Sequence, residues 1–385
     1  MIVVIGSGYA GAATAWALAR RGRGSEVTLL EAEDAFATHA SGRNAGLVGP
    51  LIEDDPILLE ATVRGARALD ELDIVVRCGS ILLCDGEASR GIAARAARWD
   101  IPVRRVRTED LARDIPLLDS APASWAMSIP GDGKVDPAAL AKRFRDEARE
   151  LGVSFVKSRP VTGLAHRSGR ITGVETAAGP MAADKVVIAA GSRAGAIARD
   201  IDTQGAPGSP GWNLRAYRRH LFVSAPVTGL DPGGPWVWDL THDVYFRIDG
   251  VRLTLCPCDE EPHASEPPEI SPEADRVLQR KLIAAMPAVA RIDRRVQHAC
   301  LRTYAPDRRY LVGFDPRLDG LFWVAGLGGS GATASAMVGS LAAGLLLEEA
   351  GGEGEEALRR AFAPDRFLAP GSARPPDHGP IDAAE

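Results

Sequence analysis

Met1-Ile2-Val3-Val4-Ile5-Gly6-Ser7-Gly8-Tyr9-Ala10-Gly11, continued to Glu31, decides how the rest of this chain is read. Ile2 to Ile5 is a β-branched run of strand length that feeds directly into glycines at 6, 8 and 11. Ala12 to Arg21 is rich in alanine and leucine, with Ala15, Leu18 and Ala19 at helical spacing, and Gly22 is placed to end the helix. Val27-Thr28-Leu29-Leu30 reads as a second strand, with Glu31 at its carboxyl end, 20 residues past Gly11. In this order the residues make a dinucleotide-binding βαβ unit. Gly6 permits the tight turn, Ser7 and Gly8 bring backbone close to a pyrophosphate, and Gly11 lets the helix pack on the strand while the N–H groups around Tyr9 and Ala10 face the phosphates. Glu31, followed by Ala32, is placed to accept hydrogen bonds from a ribose hydroxyl. An acid there disfavours NADP and leaves FAD and NAD open.

The 385 residues suffice for two or three domains, and 45% hydrophobic content is that of a chain that buries ordinary cores. A net charge of -6, from 45 basic and 51 acidic residues, gives no electrostatic reason to expect nucleic acid or an anionic membrane as partner. Five scattered cysteines, Cys78, Cys84, Cys256, Cys258 and Cys300, do not form a secreted disulfide framework and fit a reducing cytoplasm. With Ile2 already in a strand, no signal or transit peptide is expected ahead of the fold. Ala336 to Leu347, the longest apolar stretch, is broken by Gly339, Ser340 and Gly344 and is too short to cross a bilayer.

Beyond Glu31, Phe36 to Gly46 is small, polar and glycine-punctuated, as a loop is when a ligand passes close by. Helices are expected over Glu60–Leu72, Ala88–Trp99, from Asp136 as N-cap and Pro137 to about Leu151, over Glu273–Met286 and over about Ala332–Ala350. Strands are expected at Gly79–Cys84, Val153–Lys157, a hairpin over Val161–Val174 turning at Arg167 to Arg170, and Lys185–Ala189 closing on Ala190-Gly191. Further strands are Tyr217–Ser224, Trp236–Leu240, Asp243–Ile248, Arg252–Cys256, Val296–Tyr304, Tyr310–Gly313 and Leu321–Ala325. Gly205 to Gly211 marks a boundary, and Asp259 to Pro272 an acidic linker. Leu321–Ala325 followed by Gly326-Leu327-Gly328-Gly329-Ser330-Gly331 repeats the opening logic, a buried strand ending in glycines that launch a helix. The tail from Pro364 is expected to lack order. The fold class is α/β, a Rossmann-type dinucleotide domain interleaved with an α+β domain on a mostly antiparallel sheet with helices on one face.

These residues resemble the FAD-dependent oxidoreductases of the D-amino-acid oxidase type, which include glycine and sarcosine oxidases and bacterial D-amino-acid dehydrogenases. Four stretches carry the resemblance: Gly6 to Glu31; Ala40-Ser41-Gly42-Arg43-Asn44-Ala45-Gly46; Leu301-Arg302-Thr303-Tyr304 with Pro306-Asp307 and Leu311-Val312-Gly313; and Gly320 to Gly326 with Gly328-Gly329-Ser330-Gly331. Val244-Tyr245-Phe246-Arg247 and Cys256-Pro257-Cys258-Asp259 are similar to the D-arginine-dehydrogenase-like branch. The resemblance implies a non-covalent FAD with Ala40, Ser41, Arg43, Asn44, Ala45 and Gly46 near the flavin, Val161 near the adenine, Ala190 and Gly191 near the nucleotide, and Gly328 to Thr333, including Ala332, at the ring. It implies an FAD-binding domain of residues 1–50, 131–204 and 309–367, a substrate domain of 51–130 and 205–308, and a disordered tail over 368–385.

Oxidising a C–N bond by hydride transfer to flavin N5 needs an amine held over the ring and a cation for any carboxylate. Arg302 is the candidate cation, since strand alternation puts Cys300, Arg302 and Tyr304 on one face and its planar fork matches a carboxylate bidentately. Tyr245 or Arg247, sharing another strand face, is placed to close over the substrate, and His39 lies beside the flavin loop as a candidate catalytic or covalent-link residue. The helix start at Gly329 to Gly331 offers N–H groups to the negative charge that flavin reduction creates. No metal site is expected, because Cys256, Cys258 and His263 lack a fourth ligand. The expected reaction is oxidative deamination of an amino acid, a D-amino acid or glycine-like amine, with oxygen or a quinone as electron acceptor. A secondary amine, polyamine or biosynthetic modified amino acid is the alternative substrate. A non-catalytic nucleotide sensor is the alternative of another class.

Overall fold

The computed structural model describes residues 1–199, 212–263, 267–352 and 354–368. The Gly205–Gly211 boundary and the tail beyond Leu368 lie outside the described residues. Two compact units divide the chain: Met1–Gly42, Ala138–Ala216 and Arg302–Glu385 form the first, and Arg43–Pro137 with Tyr217–Leu301 the second. Two of the cuts fall inside the strands Arg215–Ser224 and Arg294–Tyr304, positions where a sequence reading does not divide a chain.

The first unit is built on a six-stranded sheet in the order Leu311–Phe314, Leu321–Ala325, Lys185–Ile188, Ile2–Ile5, Val27–Leu30, Ser154–Val156. All neighbours pair parallel except Leu311–Phe314, which runs antiparallel to Leu321–Ala325. Val3, Val4, Val186, Val187 and Phe322 are fully buried, as unbroken apolar runs are in a sheet covered on both faces. The helix Tyr9–Leu18 continues through a looser turn to Gly22, whose φ of 76° stops it as the sequence indicated. It packs on the helix Gly331–Leu346, with Gly339 against Ala13. A second sheet of three strands contains the hairpin Val161–Arg167 and Arg170–Thr176.

One expectation for this unit needs correction. A helix at Glu355–Phe362 and a turn of 3-10 helix at Pro364–Phe367 extend the ordered fold past Pro364. Arg366 bonds both oxygens of the Asp307 carboxylate, and Phe367 lies 6.2 Å from Trp212 between ring centroids. Buried Phe362 and Leu358 are the apolar stripe of a helix short enough to escape a periodicity search.

The second unit is built on a nine-stranded sheet, in the order Glu261–Pro262, Arg215–Ser224, Arg252–Cys256, Val244–Asp249, Trp236–Asp239, Ser80–Leu83, Trp125–Ile129, Arg104–Arg107, with Arg294–Tyr304 also on Arg215–Ser224. Trp236–Asp239 pairs parallel with Ser80–Leu83. Helices cover both faces, not one. Ile81, Leu83, Val237, Phe246 and Leu255 pack with Leu278 and Leu282 of the helix Ala274–Ala285, whereas Leu82, Met127 and Trp236 pack with Leu59, Val63 and Ile92 of the helices Pro56–Glu71 and Gly86–Arg98. The helix at 56 starts a turn before the expected Glu60. The Asp55 side chain accepts from Ile57 and Leu58 N–H groups, and Pro56 takes the first helical position.

Candidate active site

In the first unit the strand ends converge on Gly6. Its φ is 102°, and a Cβ there would stand 2.6 Å from the Ala189 carbonyl oxygen. The Ala189 N–H donates to the Ile5 carbonyl at 2.9 Å, so Ala190 and Gly191 leave the sheet beside the opening glycine turn. A Cβ on Gly11 would collide with the Gly6 carbonyl, which is the close helix-on-strand approach the motif requires. Gly8 begins the Tyr9 helix with no side-chain cap and no acid in the first turn. The Ser41 hydroxyl instead accepts from the Tyr9 N–H at 2.9 Å and stands 2.9 Å from where a Gly8 Cβ would be. Ala10 follows, half-buried.

Glu31 is 9% exposed and held on both oxygens. Oε2 accepts from the Ser7 N–H at 3.0 Å and from the Ser7 hydroxyl, and Oε1 accepts from the Glu33 N–H at 3.0 Å. The Ser7 hydroxyl accepts in turn from the Ala37 N–H at 3.0 Å. Oε2 is filled by its two bonds from Ser7 while Oε1 keeps a further acceptor site, so Glu31 is fixed in direction and still able to accept from a ribose hydroxyl. Exposed Ala32 continues the chain beyond it. Sequence reading gave Ser7 only to the loop; its second task, orienting Glu31, depends on a contact 24 residues away.

His39 Nε2 is 2.9 Å from Glu33 Oε1, which Arg193 Nη1 also reaches at 3.2 Å. The His39 hydrogen bond holds the Glu33 carboxyl below the usual carboxylate range. This arrangement ties the loop that carries His39 to Glu33.

Burial alternates along the last residues of the Arg294 strand, with Leu301 and Thr303 buried and Arg302 and Tyr304 half-exposed. Both half-exposed side chains lie against the glycine segment that follows Ala325. A Cβ on Gly329 would be 3.1 Å from Arg302 Nη1, and one on Gly328 would be 2.7 Å from Tyr304 Cδ1. The Gly328 N–H donates to the Thr303 carbonyl at 3.1 Å. Ser330 precedes the helix without capping it, and Gly331, Ala332 and Thr333 are buried in the first turn, which carries no acid. Val161 opens the hairpin and packs on the core cluster that includes Leu30 and Ile188.

In the second unit the Arg43–Gly46 segment is tied down at every residue. Arg43 Nη1 donates to the Ala299 carbonyl at 3.0 Å, and His298 Nε2 donates to the Arg43 carbonyl at 3.1 Å. Burial pushes the His298 imidazole below its ordinary value. Asn44 Oδ1 accepts from the Gly46 N–H at 2.6 Å, closing a turn. Arg247 donates to the Ala45 carbonyl and, at 3.3 Å, to the Val135 carbonyl, while its Nε and Nη2 engage Asp249 at 3.1 and 2.7 Å. Its guanidinium thus holds the Ala45 end of this loop to Val135 and Asp249. Tyr245 is 2% exposed, 4.7 Å from the Trp238 ring and clustered with Ala45, Leu221 and Cys256. No pattern in the sequence pairs His298 or Asp249 with these partners.

The family model for FAD dependent oxidoreductases (DAO) matches residues 1–345. The chain belongs to this family. Among its relatives, the tRNA 5-methylaminomethyl-2-thiouridine biosynthesis bifunctional protein MnmC of Polaromonas naphthalenivorans is 28% identical over 313 residues, covering 72% of this chain and 47% of that protein. A D-amino acid dehydrogenase of Neisseria meningitidis is 27% identical over 254 residues, covering 65% of this chain and 58% of its own length. The chain thus spans about half the length of these curated relatives. In fold it is similar to L-proline dehydrogenase from P. horikoshii, with a TM-score of 0.80, 20% identity, and 95% and 97% of the two chains covered.

As a DAO-family member the chain is an FAD-dependent oxidoreductase, in a family acting on the C–N bonds of amino acids and amines. The residues fit the cofactor: two uncapped helix starts, a glycine turn that any side chain would block, and an oriented acid at the second strand. Among the described residues, no group of three or more His, Cys, Asp or Glu is placed to hold a metal ion. No described helix is long and apolar enough to cross a membrane.

Proposed function

We propose that the chain deaminates an amino acid oxidatively, a D-amino acid or a glycine-like amine, giving an imine that water hydrolyses to a 2-oxo acid and ammonia. The observation that carries this reading is Arg302 lying with Tyr304 against Gly328 and Gly329 at the start of the Gly331 helix. A guanidinium fork there holds a carboxylate in a fixed orientation, and Tyr304, with the Arg308 guanidinium 4.4 Å over its ring, walls the site. When bound, FAD supplies the hydride acceptor. In this reading the first unit holds it: Gly6 to Gly11 and the Tyr9 helix start face the pyrophosphate, Glu31 and Ala32 the ribose, Val161 the adenine side, and Ala40, Ser41, Ala190 and Gly191 flank the nucleotide. The N–H groups of Gly331, Ala332 and Thr333 offer positive charge to the ring edge that becomes negative. The second unit is then the substrate-binding part, with Arg43 to Gly46 shaped by Arg247, and Tyr245 lining it.

A second reading, oxidation of a secondary amine, draws support from the MnmC match, whose name carries a methylaminomethyl group. Anaerobic mixing with D- and L-amino acids, their N-methyl forms and carboxylate-free amines separates the two. Bleaching of the flavin by free amino acids, with 2-oxo acid and ammonia formed, supports the first. Faster bleaching by N-methyl compounds or simple amines moves the assignment to the second, and no bleaching by any compound contradicts both. Oxygen consumption against reduction of a quinone analogue then identifies the acceptor. The five free thiols support a cytoplasmic setting.

A further inference from the structure

Gly326, Gly328, Gly329 and Gly331 give the segment between the Leu321 strand and the Gly331 helix little conformational restraint of its own. In Leu327-Gly328-Gly329-Ser330-Gly331, only Ser330 has a side chain able to hydrogen-bond. Its hydroxyl does not cap the helix it precedes; it lies 2.7 Å from the Tyr310 hydroxyl. Tyr310 is 1% exposed, and its ring is 5.0 Å from that of Phe362, itself fully buried. A buried tyrosine thus anchors the serine of a glycine-rich turn.

We infer that Tyr310 is a positioning residue for FAD, holding through Ser330 the backbone of Gly328–Gly331 in the shape that receives the flavin ring. This rests on the reading above that the segment lies at the ring. A loop restrained before binding has less freedom to lose on binding, so removing the restraint weakens the cofactor without removing any group that touches it.

The test is a double-mutant cycle of Tyr310→Phe, Ser330→Ala and the pair, read as the FAD dissociation constant when deflavinated protein is titrated and flavin fluorescence quenching is followed. Phenylalanine keeps the packing on Phe362, and Ser330→Ala provides an independent arm should the first variant fold poorly. Each single change is expected to raise the dissociation constant about fivefold, the weight of one hydrogen bond, and the double change no further than either single. A merely structural role would lower the apoprotein's urea midpoint and leave FAD affinity of the folded protein unchanged. Unchanged affinity in both single variants, or additive effects in the pair, overturns the inference. Failure of the unsubstituted apoprotein to take up FAD would instead overturn the cofactor reading itself.

Discussion

Replacing Gly339 by alanine probes the helix packing on which both cofactor-facing helix starts depend. A Cβ at 339 would stand 2.5 Å from the Ala13 carbonyl carbon and 2.8 Å from the Ala13 Cβ, where ordinary contact begins at 3.4 Å. The Ala13 carbonyl oxygen is nearer still, so the Gly331 and Tyr9 helices must part by about 1 Å. Backbone and a methyl group are what resist, so no flexible side chain can yield. Overpacking costs about 1–3 kcal/mol, here about 2–3 because backbone is what resists, and the better helix propensity of alanine returns about 1 kcal/mol. The net expectation is a loss of about 1–2 kcal/mol, seen as a lower urea midpoint at unchanged slope, together with weaker FAD binding. A Gly339→Ala protein as stable as the original, or more stable, would show that propensity alone acts at this position and refute the close approach.

Glu31→Gln sets an amide NH₂ against one of the two N–H groups, of Ser7 or of Glu33, that donate to the carboxylate and removes the charge, so FAD affinity should fall at least about tenfold in a fluorescence titration; unchanged affinity would remove Glu31 from the site. Asp132 gives a pH signature. Burial raises its carboxyl from 3.8 to about 7, against the opposing hydrogen bond from Ser80 and the charge of Arg77. Between those values the folded chain keeps a proton that the unfolded chain releases, so this group's stabilisation is full at low pH and is lost as pH rises through about 7. The shift corresponds to at most about 4 kcal/mol. Asp132→Asn should flatten the dependence of the urea midpoint between about pH 4 and about pH 7, and an unaltered profile would count against a buried, protonated Asp132.

Much of the first unit was legible because parallel strands buried on both faces read as plain apolar runs, and glycines mark the turns between them. Ile2–Ile5, Val27–Leu30 and Leu321–Ala325 fall where the residues indicated. Strand alternation correctly set Arg302 and Tyr304 on one face because that strand is buried on the other. The second unit was harder. Arg104–Arg107, an edge strand of three arginines and one valine, has no apolar alternation to detect. Ile81-Leu82-Leu83 is apolar on both faces, and the expectation of helices on one face failed because the layers covering it come from helices nearly 200 residues apart. The fate of Arg247 was not readable, because its acceptors at Ala45 and Val135 are brought to it by folding.

The central claim is that Arg302 binds the carboxylate of an amino acid whose C–N bond is oxidised. It is tested by the rate of anaerobic flavin reduction, in the original protein and in Arg302→Met, by an amino acid taken from the panel and by the amine that remains when its carboxylate is removed. The account predicts that the original protein prefers the amino acid by roughly 10- to 100-fold in kcat/KM, the weight of a charged bidentate contact, and that the variant loses most of this preference while keeping its FAD. A preference that survives intact in the flavin-loaded variant would contradict it.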